Sequence, residues 1–297
     1  METWDRSRLV ELVSITDAAL PAENLTGDEL LASCWEGGEP SIVLALDGGE
    51  GVIAGVQRNV NGRWVAYVQV IAVRPEARRL GHGRALVEAL AAWAFADGEV
   101  TSLAVGGGGP FYLWPGVDVH ATAALCLFES TGFRPVGAEL NLSFSSRHQR
   151  PPVGSSPAAE AAPPFEIRRV LDDADSVRVL GFVERNWPGW RAEAARAVEH
   201  GSCHMAVADD DAVVGFACHS VNRLGWLGPM GTDVSRRSTG VGRALLAAIA
   251  ADLRGAGIES VEVSWVGPIG FYAKAAGATV SRAFRTLRLD RPGEISR

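Results

Sequence analysis

Two short stretches of this sequence carry an arginine followed at fixed spacing by two glycines. Arg78-Arg79-Leu80-Gly81-His82-Gly83-Arg84 and Arg237-Ser238-Thr239-Gly240-Val241-Gly242-Arg243 share the pattern R-x-x-G-x-G-R and lie 159 residues apart. Each follows an apolar run and opens a helical pattern: Ala85, Leu86, Val87, Leu90, Trp93 and Ala94 in the first, Ala244, Leu245, Leu246, Ile249 and Leu253 in the second. A strand, a glycine turn and a helix start make an anion site. The first-turn N–H groups lack intrahelical partners, and the helix dipole adds positive potential there. The glycines remove Cβ atoms where a phosphate must approach the backbone. Neighbouring arginines can hold further phosphate oxygens bidentately. One such turn is ordinary structure, whereas its recurrence in the same context reports a repeated architecture.

The elements that must position these turns also recur. In the first half, Arg8–Ile15 reads as a strand, and a helical region runs to about Cys34. Ser41–Leu46 and Gly51–Asn59 form a hairpin across Asp47-Gly48-Gly49. Asn61-Gly62 marks the next turn, and Trp64–Val73 is a fourth strand. The Gly81 helix follows, then a fifth strand over Val100–Val105, a short helix over Thr122–Ser130 and a closing strand pair ending near Phe144. Ser146–Pro164 is rich in Pro, Ser and Ala without periodicity and reads as a linker. The same order restarts at Phe165–Val170 and closes on a strand over Thr279–Leu289. The expected domains are therefore 1–145 and 165–297, joined by 146–164. A chain of 297 residues, 47% hydrophobic and 21% charged, suits two such globular units.

A net charge of −7 argues against nonspecific binding to nucleic acid or to anionic membranes. The single lysine, Lys274, stands among many arginines, a bias of composition rather than of function. Cys34, Cys126, Cys203 and Cys218 show no zinc spacing, and Cys126 and Cys218 lie in apolar runs as expected core residues. No metal site is expected. No signal segment and no stretch of 18 apolar residues is evident, so the cytoplasm is the expected location.

With the phosphate turn placed after the fourth strand, the chain resembles the GNAT superfamily of acyl-CoA N-acyltransferases, whose pyrophosphate pattern is Q/R-x-x-G-x-G/A. The resemblance covers both halves and leaves out only the linker. It implies an α/β (α+β) chain of two tandem domains, each a mixed, mostly antiparallel central sheet flanked by helices. It further implies acetyl-CoA as co-substrate, bound by Arg78, Arg79, Leu80, Gly81, His82, Gly83 and Arg84 and by Arg237, Ser238, Thr239, Gly240, Val241, Gly242 and Arg243. At the end of the fourth strand, pantetheine and the thioester carbonyl are expected beside Ile71 and Val73, and beside Met230 and Thr232 in the second copy.

The resemblance also implies an aromatic-tyrosine pair after the fifth strand, with tyrosine near the departing sulfur. Phe271-Tyr272 fits this, although Gly277 falls one residue late, and Leu127-Phe128 stands there in the first half without a hydroxyl. Tyr272 is thus the expected acid, and the second half the expected seat of chemistry. For the base, Glu262, His219 and His204 are candidates in the second half, and ordered water serves equally; in the first half Gln69, Tyr112, Asp118 and His120 could surround an amine. The loop Gly106–Asp118 carries Tyr112 and Trp114 among Gly and Pro, which either plug the sheet edge or line a substrate mouth. The expected activity is acetyl transfer to a primary amine of a small molecule, an amino sugar or an aminoglycoside among the options. The alternatives are a non-catalytic acyl-CoA sensor, a protein or peptide acetyltransferase, and an acidic interaction module.

Overall fold

The computed structural model describes residues 1–36, 40–96, 98–147 and 165–293. They fold into two compact units, Met1–Glu139 with Arg282–Arg297, and Leu140–Ser281.

The first unit begins with β1 (Glu2–Trp4), α1 (Leu9–Ala19) and α2 (Gly27–Leu31). The strand expected over Arg8–Ile15 is a helix. Leu12, Ile15, Thr16 and Ala19 are its buried positions, a spacing of three and four that fits a helical stripe. Thr26 starts α2 with a capping box, its hydroxyl accepting from the Glu29 N–H while the Glu29 carboxylate accepts from the Thr26 N–H. An antiparallel meander of β2 (Ser41–Ala45), β3 (Gly51–Val60) and β4 (Arg63–Val73) follows. Asn61 and Gly62, both at positive φ (52° and 82°), make the two-residue turn between β3 and β4 that the strand twist favours.

Next come α3 (His82–Ala94), β5 (Val100–Val105), β6 (Val117–Asp118), α4 (Thr122–Ser130) and β7 (Arg134–Ser145). β5 pairs with β4 in parallel. Each face of this sheet is covered. α3 buries Leu86, Val87 and Leu90 with Ile53, Ala66 and Leu103 on one side, and α1 buries Leu12 and Ile15 with Val43, Val52 and Val70 on the other.

The second unit repeats the order with β8 (Phe165–Arg169), α5 (Asp173–Asn186), α6 (Arg191–Glu199), β9 (Cys203–Ala208), β10 (Val213–His219), β11 (Trp226–Thr232), α7 (Val241–Gly255), β12 (Ser260–Val263), α8 (Ile269–Ala276) and β13 (Thr279–Asp290). β8 to β11 pair antiparallel, and β12 joins β11 in parallel.

The units are not the contiguous halves 1–145 and 165–297. β7 and β13 are both 12 residues long, and each changes unit partway. In the first unit, the end of β13 pairs antiparallel with β5, Leu287 opposite Val105 and Asp290 opposite Ser102. In the second, the end of β7 pairs antiparallel with β12, Phe144 opposite Val261. The two copies have exchanged the ends of their last strands. A strand's alternation specifies which face is buried but not which neighbour it joins, so the exchange is silent in the sequence. Of the expected linker, Ser146 remains in the second unit, its hydroxyl donating to the Ile258 carbonyl at 2.8 Å, while 148–164 lie outside the described residues. Cys126 is exposed on α4 rather than in the core; Cys34, Cys203 and Cys218 are buried. Among the described residues no helix is long and apolar enough to cross a membrane.

Candidate functional site

Both glycine turns open their helices in the same way. Gly81 caps α3 with φ +86° and Gly240 caps α7 with φ +98°, neither supplying a side-chain cap to the first-turn N–H groups. Two residues earlier, Arg79 and Ser238 also hold positive φ, 66° and 65°. The space where a Cβ of Gly81 or Gly240 would point is open, and residues 79–81 and 237–240 are exposed. Exposed, uncapped N–H groups at a long helix start are what an anion needs.

The second glycine of each motif has a different task. A Cβ on Gly83 would meet Leu127 Cδ2 at 3.0 Å, and one on Gly242 would meet the Phe271 ring at 3.2 Å. These glycines let the following short helix pack close, and they also align Leu127-Phe128 structurally with Phe271-Tyr272. Not every flanking side chain faces a ligand. Arg78 donates to the carbonyls of Val73 and Ala19, tying α1 to the end of β4, so its guanidinium is committed. Arg84 donates to Ser130 and pairs with Glu88, and His82 stands 3.6 Å from Glu50. Val241 is core, and only its backbone remains for a ligand.

In the first unit the parallel pairing of β4 with β5 ends at Val68 opposite Val105. Beyond that point lies a cavity of about 130 Å³, lined by Val68–Ile71, Val105, Gly106, Trp114 and Phe128, with Leu20 at the end of α1 also in its lining. Its polar wall is Glu23, Gln69, Asp118 and Arg282. Arg282 belongs to the exchanged part of β13. Its Nε donates to Asp118 Oδ2 at 2.7 Å, and Nη1 and Nη2 donate to the two Glu23 oxygens at 3.1 and 2.7 Å. Trp114 Nε1 donates to Glu23 Oε2 at 3.0 Å. Burial works to raise the Asp118 pKa, but hydrogen bonds from the His120 backbone, from Arg282 and from the His120 ring outweigh it and hold the carboxyl below its usual range. Burial likewise opposes the charge on Arg282, and the bonds to Glu23 and Asp118 reverse that, raising its pKa.

Gln69, only 4% exposed, donates its Nε2 to the Gly108 carbonyl at 3.3 Å, while its Oε1 has no partner among the described residues. Of the residues expected in this half, then, Ile71, Gln69, Asp118 and Trp114 meet at one cavity. Tyr112 is buried and not part of its lining, and His120 reaches Asp118 from an exposed position. Glu23 and Arg282 carry no motif. Glu23 was detectable only by aligning the repeats, since Leu20-Pro21 and Trp187-Pro188 both end a helix and start a single tight turn.

The second unit differs at these positions. Trp187 and Trp190 stand where Leu20 and Glu23 stand in the first. Trp187 stacks on Trp190 at 5.5 Å and packs on Phe216 at 5.9 Å. Its ring lies against β11, where a Cβ on Gly231 would meet it at 2.6 Å. β11 and β12 pair only at Trp226–Leu227 before parting, and Met230 and Thr232 follow on β11. Tyr272 is 7% exposed within the hydrophobic core, edge-on to Phe271, and burial pushes its pKa up to about 12. Glu262 accepts from Asn141 Nδ2, and His204 and His219 both face Asp252, at 3.5 and 3.4 Å, so these base candidates hold structural partners.

Residues 9–108 and 169–278 each match the Acetyltransferase (GNAT) family, together more than half of the chain, and the chain belongs to that family. Solved structures share the fold. One is a GCN5-related N-acetyltransferase from Sphaerobacter thermophilus, 21% identical over 99% of this chain and 96% of that one, with a TM-score of 0.64. Another is a tandem GNAT protein from the clavulanic acid biosynthesis pathway, 18% identical over 98% and 97%, with a TM-score of 0.68. A third is the GCN5-related glucosamine N-acetyltransferase region of a fungal multi-domain GH3 β-N-acetylglucosaminidase, 17% identical with a TM-score of 0.74; it aligns over 97% of this chain, which spans 38% of that protein. No curated protein sequence matches the chain.

Proposed function

We propose that the chain is an acetyl-CoA-dependent N-acetyltransferase acting on the primary amine of a small molecule, with the chemistry in the first unit. The observation that supports this reading is the cavity at the parting of β4 and β5, whose polar wall lies in the same unit as the exposed glycine turn that opens α3. Acetyl-CoA would supply the thioester that the amine attacks. The N–H groups of residues 80–84 would hold its pyrophosphate, with Arg79 adding charge, and the edge of β4 at Ile71 and Val73 would receive pantetheine. The cavity's apolar lining excludes water and strengthens every polar contact within it. Phe128 makes the wall apolar at the position matching Tyr272, so the leaving sulfur would take its proton from elsewhere, water included.

The second unit supports a different role for its copy of the turn. Residues 237–243 retain an exposed helix start, while Trp187 and Trp190 occupy the counterpart of the acceptor wall. We read it as an acyl-CoA-binding copy without turnover. The cytoplasm, where acetyl-CoA is made available, is the proposed location. The test is free-thiol release and acetylated-product mass upon mixing with acetyl-CoA and a panel of small amines, beside the stoichiometry of coenzyme A binding. Binding without thiol release for any amine would return the protein to the sensor alternative.

A further inference from the structure

The polar wall of the first-unit cavity is unusually rich in acceptors. Glu23 and Asp118 contribute two carboxylates and Arg282 one cation, leaving one negative charge in a mostly apolar space. Their side chains are only 21%, 15% and 21% exposed, so that charge is poorly screened. The donors are already engaged: each nitrogen of Arg282 donates to a carboxylate, Trp114 Nε1 donates to Glu23, and Gln69 Nε2 donates to Gly108. Gln69 Oε1, by contrast, is buried and unpartnered among the described residues, and a buried acceptor without a donor is costly unless a ligand satisfies it. The Gly108 carbonyl faces the other end of this amide, which assigns the oxygen to the unpartnered position.

A ligand group that fits this wall is a pure donor with positive charge, which is a primary ammonium. Among the described residues that line the cavity, an incoming carboxylate finds no uncommitted cation and meets two carboxylates of its own sign. The volume of about 130 Å³ is close to the ~150 Å³ that holds a benzene-sized molecule, so the body of the ligand is compact and apolar.

We propose that Glu23, Asp118 and Gln69 form an ammonium-recognition wall, held in place by Arg282 from the far end of the chain. The acceptor is then a compact, singly charged amine with an apolar body, neither an amino acid nor a polycation. Arg282 is a positioning residue here, because it holds Glu23 and Asp118 at fixed distance. The proposal rests on the reading of this cavity as the acceptor site.

The test uses the full chain saturated with coenzyme A and three probes of similar length: n-butylamine, n-butanol and 4-aminobutanoate, titrated at pH 7.5 by ligand-observed NMR. Butylammonium should bind about tenfold or more tighter than either other probe, the equivalent of one hydrogen bond to a charged group. Glu23→Gln should bring butylammonium and butanol within about twofold, with coenzyme A affinity unchanged; Asp118→Asn provides the same comparison if the first variant fails to fold. Arg282→Lys, which keeps charge but not the three-way fork, should weaken butylammonium while leaving coenzyme A binding intact. Equal binding of the three probes, binding of none, or a preference that survives both carboxylate changes would overturn the proposal. Loss of coenzyme A binding in the unaltered protein, with the ammonium preference intact, would instead sink the acyl-transfer reading and leave the wall standing.

Discussion

Replacing Arg282 by glutamine tests the wall through stability rather than binding. The guanidinium makes three charged hydrogen bonds to Glu23 and Asp118, at 2.7 to 3.1 Å. Removing it leaves two mostly buried carboxylates facing each other without a cation. Breaking a buried pair from one side costs about 3–5 kcal/mol, and the partial exposure here reduces that to about 2–4 kcal/mol. For a unit of this size that corresponds to a fall in melting temperature of roughly 5–15 °C. The pH dependence supplies the sharper check. In the unaltered protein the Asp118 pKa lies below its ordinary value of 3.8, so its contribution is present above that pH and is lost as pH falls through the folded value. In the variant the part of the Asp118 lowering that comes from Arg282 is lost, while the burial that raises it remains, so its folded pKa moves up. The folded variant therefore binds protons more readily, and its deficit should be largest at pH 7 and shrink toward pH 4.5. Thermal melts of both proteins across that range, with His120 replaced by Gln in a control pair, read this directly. A variant as stable as the parent at pH 7, or a deficit that does not change with pH, would refute the argument.

Gly81→Asp should lower acetyl-CoA affinity in the first unit at least about tenfold with little change in melting, because its Cβ enters open space beside the anion site. Gly83→Ala should instead cost about 1 kcal/mol of stability, since Leu127 Cδ2 stands 3.0 Å from the new methyl; calorimetric titration and melting curves separate the two glycines. Tyr272→Phe should leave turnover within about threefold, against the roughly 10²–10⁴ expected on removal of a positioned acid, and a loss beyond tenfold would move the chemistry to the second unit. His204 and His219 have pKa values lowered from 6.5, burial being the largest cause and Asp252 only partly offsetting it. The unfolded chain then binds protons first, so stability should fall as pH drops below about 6.5, and the double change of both residues to Gln should flatten that limb of the stability curve.

Much of the architecture is legible in the sequence. The repeated R-x-x-G-x-G turns, 159 residues apart, carry both the family and the number of copies, because a glycine at positive φ before an amphipathic helix is a local requirement. The Asn61-Gly62 turn and the strands on either side were equally local, as was the helical face of α3. Local periodicity misled at α1, where the five apolar residues among Leu9–Ile15, interrupted by Glu11 and Ser14, resemble a loose alternation until Thr16 and Ala19 extend the stripe. The acceptor wall could not be read in this way. Glu23 lies in a single tight turn and Arg282 in a strand whose alternation says nothing about its neighbour, and they are 259 residues apart. Only the exchange of the ends of β7 and β13 brings Arg282 beside Glu23 and Asp118. Pairing choice in a sheet is made by the assembled faces and edges, not by the strand's own residues. For the same reason Tyr272 fits a motif by sequence yet lies in a core, and Trp187 and Trp190 acquire meaning only when packed against β11 where the first unit keeps a cavity.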